Sequence, residues 1–267
     1  MVRTDGNNVA LFHHCVQVDR ADGPTKVLHF RRRMGSNTPM ASAAIPTVQP
    51  VTIAVSEAIT VSGLLQYPAQ STACLVLAHG AGAGMHHPFM TAVAEELATL
   101  RIATLRYQFP YMENHGKRPD PPALCHATVR AAVASAHQLL PSVPLIAGGK
   151  SFGGRMTSQA QTASPLPNVR GLVFLGFPLH PPKQPSAERG RHLFAIKIPL
   201  LFLQGTRDTF AELALLQPLV SQLGGAATLT LFQDADHSFH VPARTGRNDA
   251  QVRTEMLNAL ATWVASK

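Results

Sequence analysis

The chain has few cysteines, and the three it has, Cys15, Cys74 and Cys125, are odd in number and far apart. That spacing supports neither a disulfide framework nor a metal-binding cluster, and it suits a reducing compartment. Charged residues make up only 14% of the 267 positions, too few for a disordered polyelectrolyte. Aromatics are scarce at 6%. No basic helix with interleaved aromatics appears, so a net charge of +8 favours anionic surroundings without implying nucleic-acid binding. No apolar run reaches transmembrane length. Near the N-terminus, Leu11-Phe12 runs straight into His13-His14-Cys15, which is no secretory core. The expectation is a cytoplasmic protein with no membrane partner, no nucleic-acid partner and an oligomeric state left open.

What is present is a 45% apolar chain, long enough for one sizeable core. Residues 1–46 read differently from the rest: polar, poorly periodic apart from a short strand at Val27–Phe30, and marked by Arg31-Arg32-Arg33. They are expected to be a flexible extension, with Met34 or Met40 as alternative translation starts, and residues 47–267 to be the folded domain. In that domain Val51–Val55 and Ile59–Leu65 alternate and form an opening antiparallel pair. From Cys74 onward short apolar strands alternate with helix-spaced segments. The strands are Cys74–Ala78, Ile102–Tyr107, Leu145–Ala147, Gly171–Gly176, Leu200–Gln204 and Thr228–Phe232. Strands apolar on both faces, separated by helices, predict an α/β fold with a mostly parallel central sheet covered on both sides. Functional residues of such sheets collect at the carboxyl ends of the strands. The segments Phe109–Pro122 and Phe177–Pro199 read as Pro-rich loops, and the second is too short for a large cap domain.

The most informative stretch is Gly149-Lys150-Ser151-Phe152-Gly153, set between an apolar strand and a helix. Gly-x-Ser-x-Gly in that setting is a nucleophile elbow, a strand-to-helix turn tight enough to lift a serine clear of the sheet. The Gly-Lys-Ser triplet also invites comparison with a phosphate-binding loop. That motif needs a glycine five residues before Gly149, where Pro144 stands, so the nucleotide reading is rejected. A serine needs a histidine base oriented by a carboxylate. Asp208 follows the strand Leu200–Gln204, and His237 follows the last strand. Both fall at the same sheet edge as Ser151, in the order Ser, Asp, His. The expected catalytic set is therefore Ser151, Asp208 and His237. His240 is an alternative base, Asp234 and Asp236 are alternative acids, and a His237/His240 metal fragment is set aside for want of a third ligand. The expected oxyanion donors are the N–H groups of Phe152 and of Ala81 in His79-Gly80-Ala81-Gly82, with Gly80 or Gly82 as alternates. His86-His87 reads as a helix cap or pocket wall. No cofactor and no metal is expected.

These motifs, together with Arg106-Tyr107-Gln108-Phe109-Pro110-Tyr111, Lys117-Arg118-Pro119, Gly154-Arg155 and Gly205-Thr206-Arg207-Asp208, make the chain resemble the α/β-hydrolase superfamily over residues 50–267. More narrowly it resembles the KANL/TEX-type hydrolase-like proteins, relatives of dienelactone hydrolases. The resemblance implies cofactor-free hydrolysis of an ester, thioester or amide through an acyl-enzyme, with a small-molecule ester as partner. Dienelactone hydrolases use cysteine as nucleophile, so Ser151 argues against that activity. Some members of the narrower group are subunits of larger assemblies, so a non-catalytic interaction module is the competing expectation. Lys150, Arg155, Arg106, Lys117 and Arg118 point to an anionic substrate, unless Arg106 and Arg155 are consumed in internal salt bridges, which is the simpler expectation.

Overall fold

A computed structural model describes residues 47–267. The expectations for residues 1–46, namely the extension, the Val27–Phe30 strand, the arginine run, the alternative starts and Cys15, lie outside the described residues. Eight strands form one sheet in the order β1-β2-β4-β3-β5-β6-β7-β8. They are β1 (Thr47–Ala54), β2 (Thr60–Tyr67), β3 (Ala73–Ala78), β4 (Ile102–Tyr107), β5 (Leu145–Lys150), β6 (Val169–Leu175), β7 (Leu200–Gly205) and β8 (Ala227–Phe232). β1 and β2 pair antiparallel, as do β2 and β4, and every later pairing is parallel. This is the α/β-hydrolase architecture, with the antiparallel pair at one end of a parallel sheet.

Among the described residues six α-helices accompany the sheet: α1 (Pro88–Thr99), α2 (Pro110–Glu113), α3 (Pro122–Leu139), α4 (Phe152–Ala163), α5 (Leu213–Leu223) and α6 (Asp249–Ala265). The strands' two-residue alternation divides the core into two layers. Cys74, Val76 and Ala78 of β3, Leu172 and Phe174 of β6, and Leu200 and Phe202 of β7 face the side carrying Val129, Val133, Met156 and Leu216. Leu75 and Leu77, Val173 and Leu175, and Leu201 and Leu203 face Val93, Leu97, Met256, Leu260 and Trp263. Strands that must feed both layers carry no polar face, which is why they read as unbroken apolar runs. Burial holds the thiol of Cys74 at a pKa of about 12, so it behaves as core filling.

The register aligns the strand ends. Ala78 lies beside Gly149, Lys150 beside Leu175, and Gly205 beside Phe232. The loops after β3, β5, β7 and β8 therefore emerge together along one edge. Two elements depart from the sequence reading. The loop Phe109–Pro122 contains α2, and the loop Phe177–Pro199 contains a 3-10 segment, Glu188–Ala195. Both are too short to show periodicity. α2 is started by Pro110 at its first turn and closed by the Gly116 N–H donating to the Tyr111 carbonyl at 2.6 Å. Neither segment builds a cap over the edge. No helix among the described residues is long and apolar enough to cross a membrane.

Candidate active site

Ser151 sits between β5 and α4 at φ 49°, ψ −113°, a conformation that costs a non-glycine residue about 1–3 kcal/mol. Its flanking glycines show why the chain must be bare there. A Cβ on Gly149 would stand 2.5 Å from the carbonyl oxygen of Ala78, and one on Gly153 would stand 2.5 Å from that of His79. Both obstacles are backbone atoms at the end of β3 that cannot rotate away. The elbow therefore leans directly on the strand whose following loop carries His79–Gly82.

The structure brings Ser151, His237 and Asp208 into one hydrogen-bonded chain. His237 Nε2 lies 2.7 Å from Ser151 Oγ, and His237 Nδ1 lies 2.7 Å from Asp208 Oδ2. Asp208 is 4% exposed and has its other acceptor positions filled. The Phe210 N–H donates to Oδ1 at 2.8 Å, and Gln204 Nε2 donates to Oδ2. With the carboxylate facing Nδ1, the imidazole proton resides there and the Nε2 lone pair faces the serine. Burial pulls the His237 pKa below its ordinary value, and the Lys150 cation pulls it further; the Asp208 hydrogen bond and charge oppose them. The Phe210 ring packs on the imidazole at 4.3 Å between centroids, holding its plane.

Two of the alternatives, His240 and Asp236, are otherwise engaged. His240 Nδ1 pairs with Asp249 at 2.6 Å on the exposed side. Asp236 accepts the N–H groups of Ser238 and His240 and shapes the loop. No group of three metal-binding side chains occurs among the described residues. His87 caps α1, accepting the Phe89 N–H.

The loop after β3 approaches the elbow closely, since a Cβ on Gly80 would be 4.0 Å from that of Ser151. Gly82 N–H donates to the Tyr111 hydroxyl at 3.1 Å, and Ala83 N–H donates to the Gly80 carbonyl at 3.3 Å. Among the described residues the N–H groups of Phe152 and Ala81 have no acceptor. Gly82 is thus withdrawn from the alternates, while Phe152, Ala81 and the alternate Gly80 keep N–H groups without an acceptor among the described residues.

Several supporting contacts carried no signal in the sequence. His79 is fully buried, and burial drives its pKa down to about 4. Its Nε2 accepts the Phe109 N–H at 3.1 Å, so Nδ1 carries the proton and donates to the Gly80 carbonyl at 2.8 Å. The neutral ring ties the loop after β3 to the loop after β4. Lys150 is turned toward the loop that carries His237. Its Nζ donates to the His237 carbonyl at 2.5 Å, 5.6 Å from the centre of the Phe239 ring. Burial lowers its pKa to about 8 against the pull of Asp208 and Asp236.

The expected internal salt bridges of Arg106 and Arg155 are absent among the described residues. Arg106 instead reaches neutral acceptors, the Met85 carbonyl at 3.3 Å and Thr91 Oγ1 at 2.9 Å. Burial inside β4 lowers its pKa, and the Glu95 charge opposes this without forming an ion pair. Lys117 and Arg118 are exposed.

Comparison with known proteins agrees with this fold. A dienelactone hydrolase from Anabaena variabilis is 21% identical, covers 83% of this chain and 98% of its own, and superposes with a TM-score of 0.67. A lidless α/β serine hydrolase from Xanthomonas campestris is 18% identical, with coverage of 81% and 94% and a TM-score of 0.64. A Pyrococcus furiosus esterase is 17% identical, with coverage of 80% and 93% and a TM-score of 0.59. At such identities the likeness is one of fold. The family described as "Alpha/beta hydrolase domain" matches residues 71–265, most of the chain, and the protein belongs to that α/β hydrolase family.

Proposed function

We propose that the protein is a serine hydrolase that cleaves a carboxylic ester through an acyl-enzyme. The observation that carries this reading is the continuous hydrogen-bonded line Ser151–His237–Asp208 with both outer contacts at 2.7 Å. Ser151 Oγ attacks the carbonyl carbon while His237 Nε2 takes its proton. Asp208 holds the tautomer and stabilises the imidazolium. The Phe152 and Ala81 N–H groups receive the oxyanion, and losing one such donor costs about 10²–10³ in turnover. The intermediate collapses as His237 gives its proton to the leaving alcohol. Water then enters, loses its proton to His237, attacks the acyl carbon and releases the acid and the serine. The relatives described as esterase and serine hydrolase support an ester substrate. With no cap over the edge among the described residues, the substrate is a small ester or an exposed acyl group.

Mixing the protein with an activated aryl ester tests this. A burst of released phenol, stoichiometric with enzyme and accompanied by an acyl mass on the Ser151 peptide, is expected. Neither burst nor turnover in folded protein would contradict the reading.

The surroundings of His237 set the pH response. Catalysis needs neutral imidazole, and a pKa held below the ordinary 6.5 keeps that form populated through neutral pH. The acid limb of kcat/KM should therefore lie below pH 6.5. Lys150→Met removes a cation that disfavours imidazolium, so its acid limb should move to higher pH. It also releases the His237 carbonyl, and kcat should fall by about tenfold as the ring loses its fixed position. An unchanged pH profile would show that Lys150 is only a packing residue.

A further inference from the structure

The oxyanion donor Ala81 stands in a loop that packing does not hold. Its neighbours include Gly80, Gly82 and Gly84, and the last two sit at φ 73° and 45°. Glycine lets this backbone approach the elbow, with a Gly80 Cβ only 3.5 Å from Lys150 Cγ, but it also leaves the chain free to wander. Ala81 and Gly82 are exposed, and among the described residues nothing lies within 4 Å of the place a Gly82 Cβ would take. A donor that must meet developing charge at a fixed point has to be held by something other than packing.

Hydrogen bonds supply the hold. His79 Nδ1 donates to the Gly80 carbonyl at 2.8 Å, and the Ala83 N–H reaches the same oxygen at 3.3 Å. That carbonyl and the Ala81 N–H belong to one trans peptide and point opposite ways, so fixing the oxygen fixes the line of the N–H. The following peptide, between Ala81 and Gly82, is held by the Gly82 N–H donating to the Tyr111 hydroxyl at 3.1 Å. Past the turn, the Met85 N–H donates to Gln108 Oε1 at 3.0 Å. Among the described residues the Tyr111 hydroxyl is the one side-chain partner of the exposed tip, Ala81-Gly82.

Tyr111 is itself held still. Its N–H donates to Asp120 Oδ2 at 2.9 Å, and its carbonyl takes the Gly116 N–H at 2.6 Å. Glu113 bolts α2 to β2, its carboxylate accepting the Ser62 N–H at 2.9 Å and the Ser62 hydroxyl at 2.7 Å. Tyr111 is 5% exposed, with its ring centre 6.0 Å from that of His79. Phe109, whose N–H donates to His79 Nε2 at 3.1 Å, meets the Phe152 ring at 5.5 Å between centroids. Residues 108–111 therefore brace the loop of one oxyanion donor and the side chain of the other.

We propose that Tyr111 is a positioning residue for the oxyanion: by holding the Gly82 N–H, its hydroxyl fixes the second of the two peptides that flank Ala81 and keeps the Ala81 N–H directed at the carbonyl under attack. This rests on the hydrolase reading above, with Ala81 as donor. Tyr111 acts through the loop and not on the substrate. Without the hydroxyl the Ala81–Gly82 peptide is free to rotate, and the released Gly82 N–H competes for the oxyanion from a worse position.

Tyr111→Phe removes one oxygen and keeps the ring. For an activated acetate ester kcat should fall by about tenfold to a hundredfold with KM within about twofold, less than the 10²–10³ of losing the donor outright. An aryl trifluoromethyl ketone reads the same defect without turnover. Ser151 Oγ adds to its carbonyl carbon, the serine proton passes to His237, and the carbonyl oxygen becomes an oxyanion like that of the reaction. Its Ki should rise by the factor by which kcat/KM falls, because both report the tetrahedral state. Hydrogen exchange should quicken in residues 79–85 and not in β3 or α4. A hydroxyl that only stabilised the fold would lower the unfolding temperature without moving kcat and Ki together. Unchanged kcat and Ki in folded Tyr111→Phe overturn the positioning role and leave the hydrolase reading intact. Wild-type protein that neither hydrolyses the ester nor takes up the ketone removes the hydrolase reading, and the role of Tyr111 with it.

Discussion

Ser151→Ala is expected to lower kcat for any ester substrate by about 10⁶-fold while leaving KM within a few-fold and the fold intact. The size follows from the elbow. Ser151 Oγ is the atom facing His237 Nε2 at 2.7 Å, and alanine leaves the base with nothing to deprotonate. The free N–H groups of Phe152 and Ala81 would still polarise a bound carbonyl, so a small residual rate above the uncatalysed reaction should persist. Alanine relieves no clash and opens no core cavity, because Ser151 is half-buried at the edge. Steady-state kinetics with thermal unfolding on the same preparation checks both statements. Near-normal turnover by the variant would assign the chemistry to another group.

Asp208→Ala should cost about 10⁴-fold in kcat, because the imidazole loses both its tautomer and its orientation. Asp208→Asn should cost distinctly less, for a reason specific to this site. Gln204 Nε2 donates to the same Oδ2 that faces His237, and Gln204 cannot turn over, since its Oε1 accepts the Phe177 N–H at 2.9 Å. The corner shared by Gln204 and His237 therefore demands an oxygen. An asparagine would put its carbonyl there and its amide against the Phe210 N–H, giving up the 2.8 Å bond at Oδ1. The proton stays on Nδ1 and the base survives, weakened by loss of the carboxylate charge. Equal losses for alanine and asparagine, measured as kcat with one activated ester, would show that the tautomer is not held in this way.

The strands were legible because those buried on both faces tend to be apolar throughout, and Cys74–Ala78 is apolar at every position. The start of α6 was legible for a local reason. Asn248 and Gln251 close a reciprocal capping box, a pattern written within four residues. The three residues of the triad could be proposed together because the parallel topology sends Ser151, Asp208 and His237 to one edge whatever their separation in sequence. What stayed hidden depends on contacts across that edge. Nothing near Tyr111 announces that its hydroxyl takes the Gly82 N–H, and nothing near Lys150 announces that it holds the carbonyl of a residue far along the chain. The salt bridges expected of Arg106 and Arg155 failed because charge alone does not say whether a carboxylate lies within reach. Arg106 found neutral oxygens, and the covered Nε of Arg155 found no partner among the described residues.

In the proposed mechanism Ser151 is a nucleophile activated by His237. That role is tested most directly by treating the intact chain with a fluorophosphonate and reading the modified residue by mass spectrometry. Stoichiometric phosphonylation on Ser151, slowed severely in His237→Ala and absent in Ser151→Ala, is the predicted result. Folded wild-type protein that stays unlabelled, or labels at another residue, would contradict it.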